Sequence, residues 1–185
     1  MFEFTKKLFL ANQFTLQRGE IALLKQPVLI IPTTAMVGLA KIMTEKNLGH
    51  ILYIMERDSI PPFVKELKNK HKAEHRELVI LMKNLAETAG WGYIELIEYD
   101  RSKHHSLFRL QKSPISLALG KYDKAIDHVE RGLIVGSLRE IEQDYEIEGI
   151  ETKCICKGDS YCEIIVKPLK DFSQEQLAEY GWQIR

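Results

Sequence analysis

The stretch Glu151-Thr-Lys-Cys154-Ile-Cys156-Lys-Gly-Asp-Ser-Tyr-Cys162 decides how the chain is read, because all three of its cysteines lie there within nine residues. Strand-like runs at 149–156 and 161–166 flank the turn residues 157–160, which predicts a β-hairpin with Gly158 at a position of positive φ. Such a hairpin sets Cys154 and Cys162 across from each other, where opposed Cβ atoms lie about 4.5–5.5 Å apart. Two thiolates at that spacing can share one metal at a Zn–S distance of about 2.3 Å. Strict alternation puts Cys156 on the face of Cys154, and puts Glu151 on the other face unless a bulge intervenes. Both are candidates for a further ligand. A cross-strand disulfide and three inert buried thiols are the plainer alternatives, although three closely spaced cysteines do not make a disulfide framework.

Upstream, a helix is expected over about 122–143. His128, Gly132 and Gly136 recur there at i, i+4 and i+8 and so share one helical face. Two glycines on that face permit close approach to whatever packs against it. If the neighbour is the cysteine hairpin, His128 arrives beside the thiolates as a third ligand.

The rest of the chain supplies a scaffold. Residues 14–18 and 21–25 predict a hairpin, and 28–31, between Pro27 and Pro32, a third short strand. Helices are expected over 35–46, from Pro61-Pro62 through Leu67, and over 73–88, where Leu78, Leu81, Met82 and Leu85 keep helical spacing. Residues 91–99 and 106–110 read as paired strands, and a last helix starts near Ser173. Strands and helices come in runs rather than in alternation, which argues for an α+β fold with an antiparallel sheet and helices packed on one face. The expected division is a hairpin and helix extension over 1–48, a main α+β domain over 49–170 and a C-terminal helix over 171–185.

Composition narrows the function. Twenty-six Lys and Arg balance 26 Asp and Glu, so the surplus of cations that phosphate binding needs is missing and a direct nucleic-acid role is disfavoured. The longest apolar stretches, 27–32 and 35–40, are broken and too short to span a bilayer. With no secretory signal pattern, the expected location is cytoplasmic. His71, Glu74 and His75 fit an inverted zincin spacing, but their lysine-rich surroundings mark a solvated face. No phosphate loop, nucleophile elbow or dinucleotide fingerprint is present.

The order Gly132-Leu-Ile-Val-Gly136, Glu151-Thr152-Lys153-Cys154, Gly158, Cys162 resembles the C-terminal signature of the 4-vinyl reductase domain family. That family takes in aromatic-sensing domains of NtrC-type activators and stand-alone hydrocarbon-binding proteins, and it shares a fold of the NO-signalling/Golgi-transport ligand-binding type with TRAPP trafficking subunits. The resemblance implies a structural zinc held by His128, Glu151, Cys154 and Cys162, with His128 at a helix position where the activators carry cysteine. Cys156 is then a bystander or a neighbouring thiol. The same resemblance implies an apolar or aromatic small-molecule ligand and a homodimer rather than a self-sufficient enzyme. Trp91, Tyr93 and Phe108 are candidates for the pocket wall. The alternative function is an accessory or carrier, less readily a reductase, in tetrapyrrole metabolism.

Overall fold

The computed structural model describes residues 14–184; residues 1–13, which open the expected N-terminal extension, and Arg185 lie outside the described residues. Strands β1 (Phe14–Gln17), β2 (Glu20–Leu23) and β3 (Gln26–Pro27) form a small antiparallel sheet. Helices α1 (Thr33–Glu45), α2 (Gly49–Ser59), α3 (Pro61–His71) and α4 (His75–Thr88) follow. The antiparallel pair β4 (Ile94–Asp100) and β5 (His105–Leu110) leads through a short helix α5 (Pro114–Leu119) into α6 (His128–Glu142). Strands β6 (Ile147–Lys153) and β7 (Cys162–Pro168) complete a four-stranded sheet of order β4-β5-β7-β6, and α7 (Gln174–Tyr180) ends the chain's helices. The fold is α+β, as expected.

The third strand expected at 28–31 does not form, and the pairing with β2 falls on the two residues before it. Only Gln26 and Pro27 pair with β2, and Leu29 and Ile30 stand 84% and 76% exposed. Pro27 cannot donate to a ladder, and Pro32 restricts Ile31 before α1 begins. Helix α6 starts at His128 rather than near Tyr122, and α5 was not anticipated, although Ser113 caps it through Ser116 N–H and Pro114 occupies its first position.

Helix α6 is the axis of the molecule. Every residue from His128 to Leu138 is buried, which is the pattern of a helix covered on all sides. Its glycine face meets α2, not the cysteine hairpin. A Cβ at Gly136 would stand 2.2 Å from the Arg57 carbonyl oxygen, and one at Gly132 2.5 Å from that of Tyr53. The opposite side packs on the sheet, with Val135 against Gly149 of β6. That rotation decides which residue at the helix start can reach the hairpin.

Candidate metal centre and apolar cavity

The β6–β7 hairpin carries a β-bulge. Glu151 pairs with Ile164 and Lys153 with Glu163, so Thr152 is the extra residue. The bulge turns Glu151 onto the face that Cys154 occupies. Beyond Lys153 the chain makes a 3-10 turn at Ile155–Lys157, closed by Gly158 at φ 104°, a left-handed conformation natural to glycine. Cys154 and Cys162 then face each other with sulfurs 4.0 Å apart. The Ile155 N–H donates to the Cys162 sulfur at 3.2 Å, and Asp159 accepts from the Cys154 N–H at 2.8 Å.

The fourth residue of the group is Asp127. One ligand atom from each of Asp127, Glu151, Cys154 and Cys162 can be chosen so that all lie within 4.8 Å of one another, and all four residues are buried. Asp127 is the N-cap residue of α6, yet its side chain makes no cap hydrogen bond and points at the hairpin instead. Its Oδ1 accepts from the hydroxyls of Ser113 and Ser116 at 2.8 and 2.7 Å. Its N–H donates to Glu151 Oε2 at 3.0 Å. Asp127 Oδ2 and Glu151 Oε1 are buried without a hydrogen-bond partner among the described residues. Two orphaned carboxylate oxygens beside two thiols are costly unless a cation completes them.

His128 sits elsewhere. Its ring packs on Gly49, where a Cβ would come within 2.3 Å of Nε2. Arg131 can only donate, so Nδ1, 3.4 Å from Nη2, acts as acceptor, and Nε2–H donates to Thr44 Oγ1 at 2.9 Å. Thr44 passes its own proton to the Ala40 carbonyl at 2.7 Å. Burial, followed by the charge of Arg131, pushes the His128 imidazole down to about 3, so the ring is neutral. The imidazole thus joins α1 to α6, and His128 is not one of the four buried residues whose ligand atoms lie within 4.8 Å of one another.

The electrostatics of the group describe a site prepared for positive charge. Hydrogen bonds from the Cys156 and Cys162 thiols hold Cys154 far below the usual thiol range, and the Cys154 thiolate in turn pushes Cys162 up. Burial, then the Cys154 charge, raises the Asp127 carboxyl to about 6. Burial raises Glu151 well above its ordinary value. A bound cation would reverse the upward shifts of Cys162, Asp127 and Glu151 and reinforce the downward shift of Cys154, because its own charge is the largest in the site.

Residues outside the hairpin hold the main chain of Glu151. Gln183 Oε1 accepts from Glu151 N–H at 2.8 Å and Gln183 Nε2 donates to Glu151 O at 2.9 Å. The fully buried Arg131 donates to Gly149 O at 2.8 Å and to Gln183 O at 2.7 Å, and its guanidinium lies 4.0 Å from the centre of the Tyr53 ring. Sequence reasoning missed Gln183, Ser113, Ser116 and Asp127. Two of them carried a signal as N-cap residues, Ser113 before Pro114 and Asp127 at the start of α6.

A second feature lies between α4, α6 and the sheet. A cavity of about 20 Å³ is lined by Val79, Met82 and Lys83 of α4, Ile94 and Phe108 of the sheet, and Leu133, Ile134, Ser137 and Leu138 of α6. The Ser137 hydroxyl is turned to Leu133 O at 2.7 Å, so the wall is almost wholly apolar. Of the three expected pocket residues, Phe108 lines this cavity. Trp91 packs half-buried against the core, and Tyr93 is 47% exposed under Lys83 Nζ.

The architecture is one shared by ligand-sensing, vinyl-reductase-type and trafficking domains. The phenol-responsive sensory domain of the transcription activator PoxR, solved with phenol, superposes with a TM-score of 0.80 at 16% identity, over 100% of this chain and 97% of that one. A vinyl-4-reductase family protein from Methanocaldococcus jannaschii matches with a TM-score of 0.52 at 21% identity, over 77% of this chain and 84% of that one. A trafficking protein particle complex subunit 3 from Naegleria fowleri, covalently bound to palmitic acid, gives 0.56 at 14% identity, over 74% and 92%. At the level of sequence, an uncharacterized protein of M. jannaschii is 32% identical over 88 residues, 47% of this chain. The match spans about half the length of that curated relative. No family model matches the sequence. No helix among the described residues is long and apolar enough to cross a membrane.

Proposed function

We propose that this chain is a small-molecule sensing module whose ligand is apolar or aromatic, with a structural zinc ion held by Asp127, Glu151, Cys154 and Cys162. The observation that carries the reading is the apolar cavity between α4, α6 and the β4–β5 pair, set in a fold similar along its whole length to a phenol-responsive sensory domain. A cavity of about 20 Å³ has room for roughly one water molecule. An aromatic ring therefore enters by parting α4 from α6, and Met82, with three flexible torsions, is the wall residue best able to yield.

The donor set suits zinc. A tetrahedral ion with Zn–S bonds of about 2.3 Å sets its two sulfurs about 3.8 Å apart, against 4.0 Å between Cys154 and Cys162. Four protein ligands leave no open position, which is the pattern of a structural site. The ion would supply a clamp between the start of α6 and the β6–β7 hairpin. Around it the chain's own groups do the orienting: Ser113 and Ser116 aim Asp127, the Asp127 N–H aims Glu151, and Gln183 fixes the strand beneath. A homodimer formed through the exposed apolar residues 29–31 and the α1 residues Leu39 and Ile42 completes the proposal.

Native mass spectrometry with elemental analysis tests it. One zinc per chain, together with thermal stabilisation by phenol, toluene or a similar probe, supports the reading. A probe at a hundred times its Kd should add about 2.7 kcal/mol. Metal-free protein that no apolar probe stabilises would sink it.

A further inference from the structure

Cys156 lies outside the four-donor group, yet its sulfur is nearer to Cys154 than that of Cys162 is: 3.0 Å against 4.0 Å. It is buried in the middle of the 3-10 turn at Ile155–Lys157. Its sulfur also lies 3.2 Å from Lys124 O, an acceptor for the thiol in place of Cys154, and its carbonyl accepts from Tyr122 N–H at 2.8 Å. The turn is thereby tied to the segment that runs into Asp127. Three thiols and two carboxylates thus converge where a tetrahedral ion needs four donors. Thiolates favour soft cations and carboxylates hard ones, so the composition of the shell a given ion recruits depends on its softness.

We propose that Cys156 is a reserve thiolate ligand, so that the site takes a thiophilic d10 cation such as Cd2+ or Cu+ through Cys154, Cys156 and Cys162 together, releasing a carboxylate. The inference rests on the metal-binding reading above. In the exchange, the Cys156 sulfur–hydrogen bond breaks, its proton goes to solvent, and a sulfur–metal bond forms while one carboxylate–metal bond is given up. Both carboxylates have partners waiting. Asp127 Oδ1 keeps the Ser113 and Ser116 hydroxyls, and Glu151 Oε2 keeps the Asp127 N–H. Release of Asp127 or Glu151 therefore leaves a carboxylate still hydrogen-bonded through its other oxygen, and the thiol side gives up the Cys156 contacts to the Lys124 carbonyl and the Cys154 sulfur. Zinc, borderline in softness, keeps the two-thiolate, two-carboxylate set.

The test is titration of the metal-free full chain with Cd2+ and, separately, Zn2+. The intensity of the sulfur-to-cadmium charge-transfer absorption counts Cd–S bonds. Three thiolates are expected in the wild type, and Cys156→Ser should lose about one third of the absorption. The same variant should bind Cd2+ about tenfold more weakly while holding Zn2+ unchanged. If Cys156→Ser fails to fold, the 113Cd NMR shift of the wild type reads the number of thiolates directly. Equal absorption in wild type and variant, or a two-thiolate 113Cd shift, overturns the inference while a one-to-one zinc complex leaves the metal site standing. A wild type that binds neither ion overturns both.

Discussion

Gln183 binds the main chain of Glu151 as a neighbouring strand would, its side-chain amide taking the N–H at 2.8 Å and giving to the carbonyl at 2.9 Å. Strand β6 is an edge of the sheet, and at the bulge its outward groups would otherwise be unpaired. The 3-10 turn Gly181–Gln183 thus supports the residue that offers a carboxylate to the candidate metal group. Gln183→Ala strands two buried backbone groups and should cost about 1–3 kcal/mol. Zinc affinity should fall by about tenfold or more, as for other lost supports of a metal ligand. Chemical denaturation, a chelator competition and hydrogen exchange at the Glu151 amide read the three effects. An unchanged exchange rate would show that the amide pairing does not hold the strand.

The helix donor can be decided by two neighbouring substitutions. Asp127→Asn should lose the metal, whereas His128→Ala should keep it and lower stability, because the imidazole joins α1 to α6 through Thr44. Elemental analysis of the two purified variants is sufficient. Metal retained by Asp127→Asn and lost from His128→Ala would reverse the assignment.

Removal of the ion should loosen one end of the molecule more than the other. Chelation, or Cys162→Ser, is expected to lower the Tm and to raise hydrogen exchange in the turn 154–161 and at the start of α6. The β4–β5 pair, held by its own ladder, should change little. Uniform loss of protection would mean that the group supports the whole fold.

Gly136 is fixed by the Arg57 carbonyl, 2.2 Å from where a Cβ would stand. Gly136→Ala should force α2 away from α6 and cost about 1–3 kcal/mol. Urea unfolding measures it, and a neutral result would mean that the two helices separate at no cost.

Burial raises the Glu56 carboxyl from 4.5 to about 7. The folded chain then holds this proton more tightly than the unfolded chain, so the Glu56 contribution is greatest below about pH 4.5, falls as pH rises to about 7 and is flat above. The swing is at most about 3 kcal/mol. His128, pushed down to about 3, slopes the opposite way from 6.5 downward, since its folded form resists the proton that the unfolded form accepts. The difference between wild type and Glu56→Gln across pH 4.5–7.5 isolates the Glu56 part. Parallel stability curves would refute it.

The hairpin, its glycine turn and the opposition of Cys154 and Cys162 could be read from sequence because they are local. They follow from alternation and a left-handed turn position. Alternation alone put Glu151 on the other face, the family resemblance named it, and the extra residue at Thr152 that turns it inward came only with the structure. The pairing of helix α6 with close-packed glycines was legible in the same way. What sequence could not say was which partner those glycines meet. They meet α2, and successive residues on a helix are turned by about 100°. With Gly132 and Gly136 fixed against Tyr53 and Arg57, His128 is directed at Thr44 and the residue before it, Asp127, at the cysteines. Ser113, Ser116 and Gln183 come to the same place from other parts of the chain, and no local pattern marks them as neighbours of the cysteines. The residue types of the group were set by the sequence, and which residue at the helix start faces the cysteines was set by the rotation that packing imposes on α6.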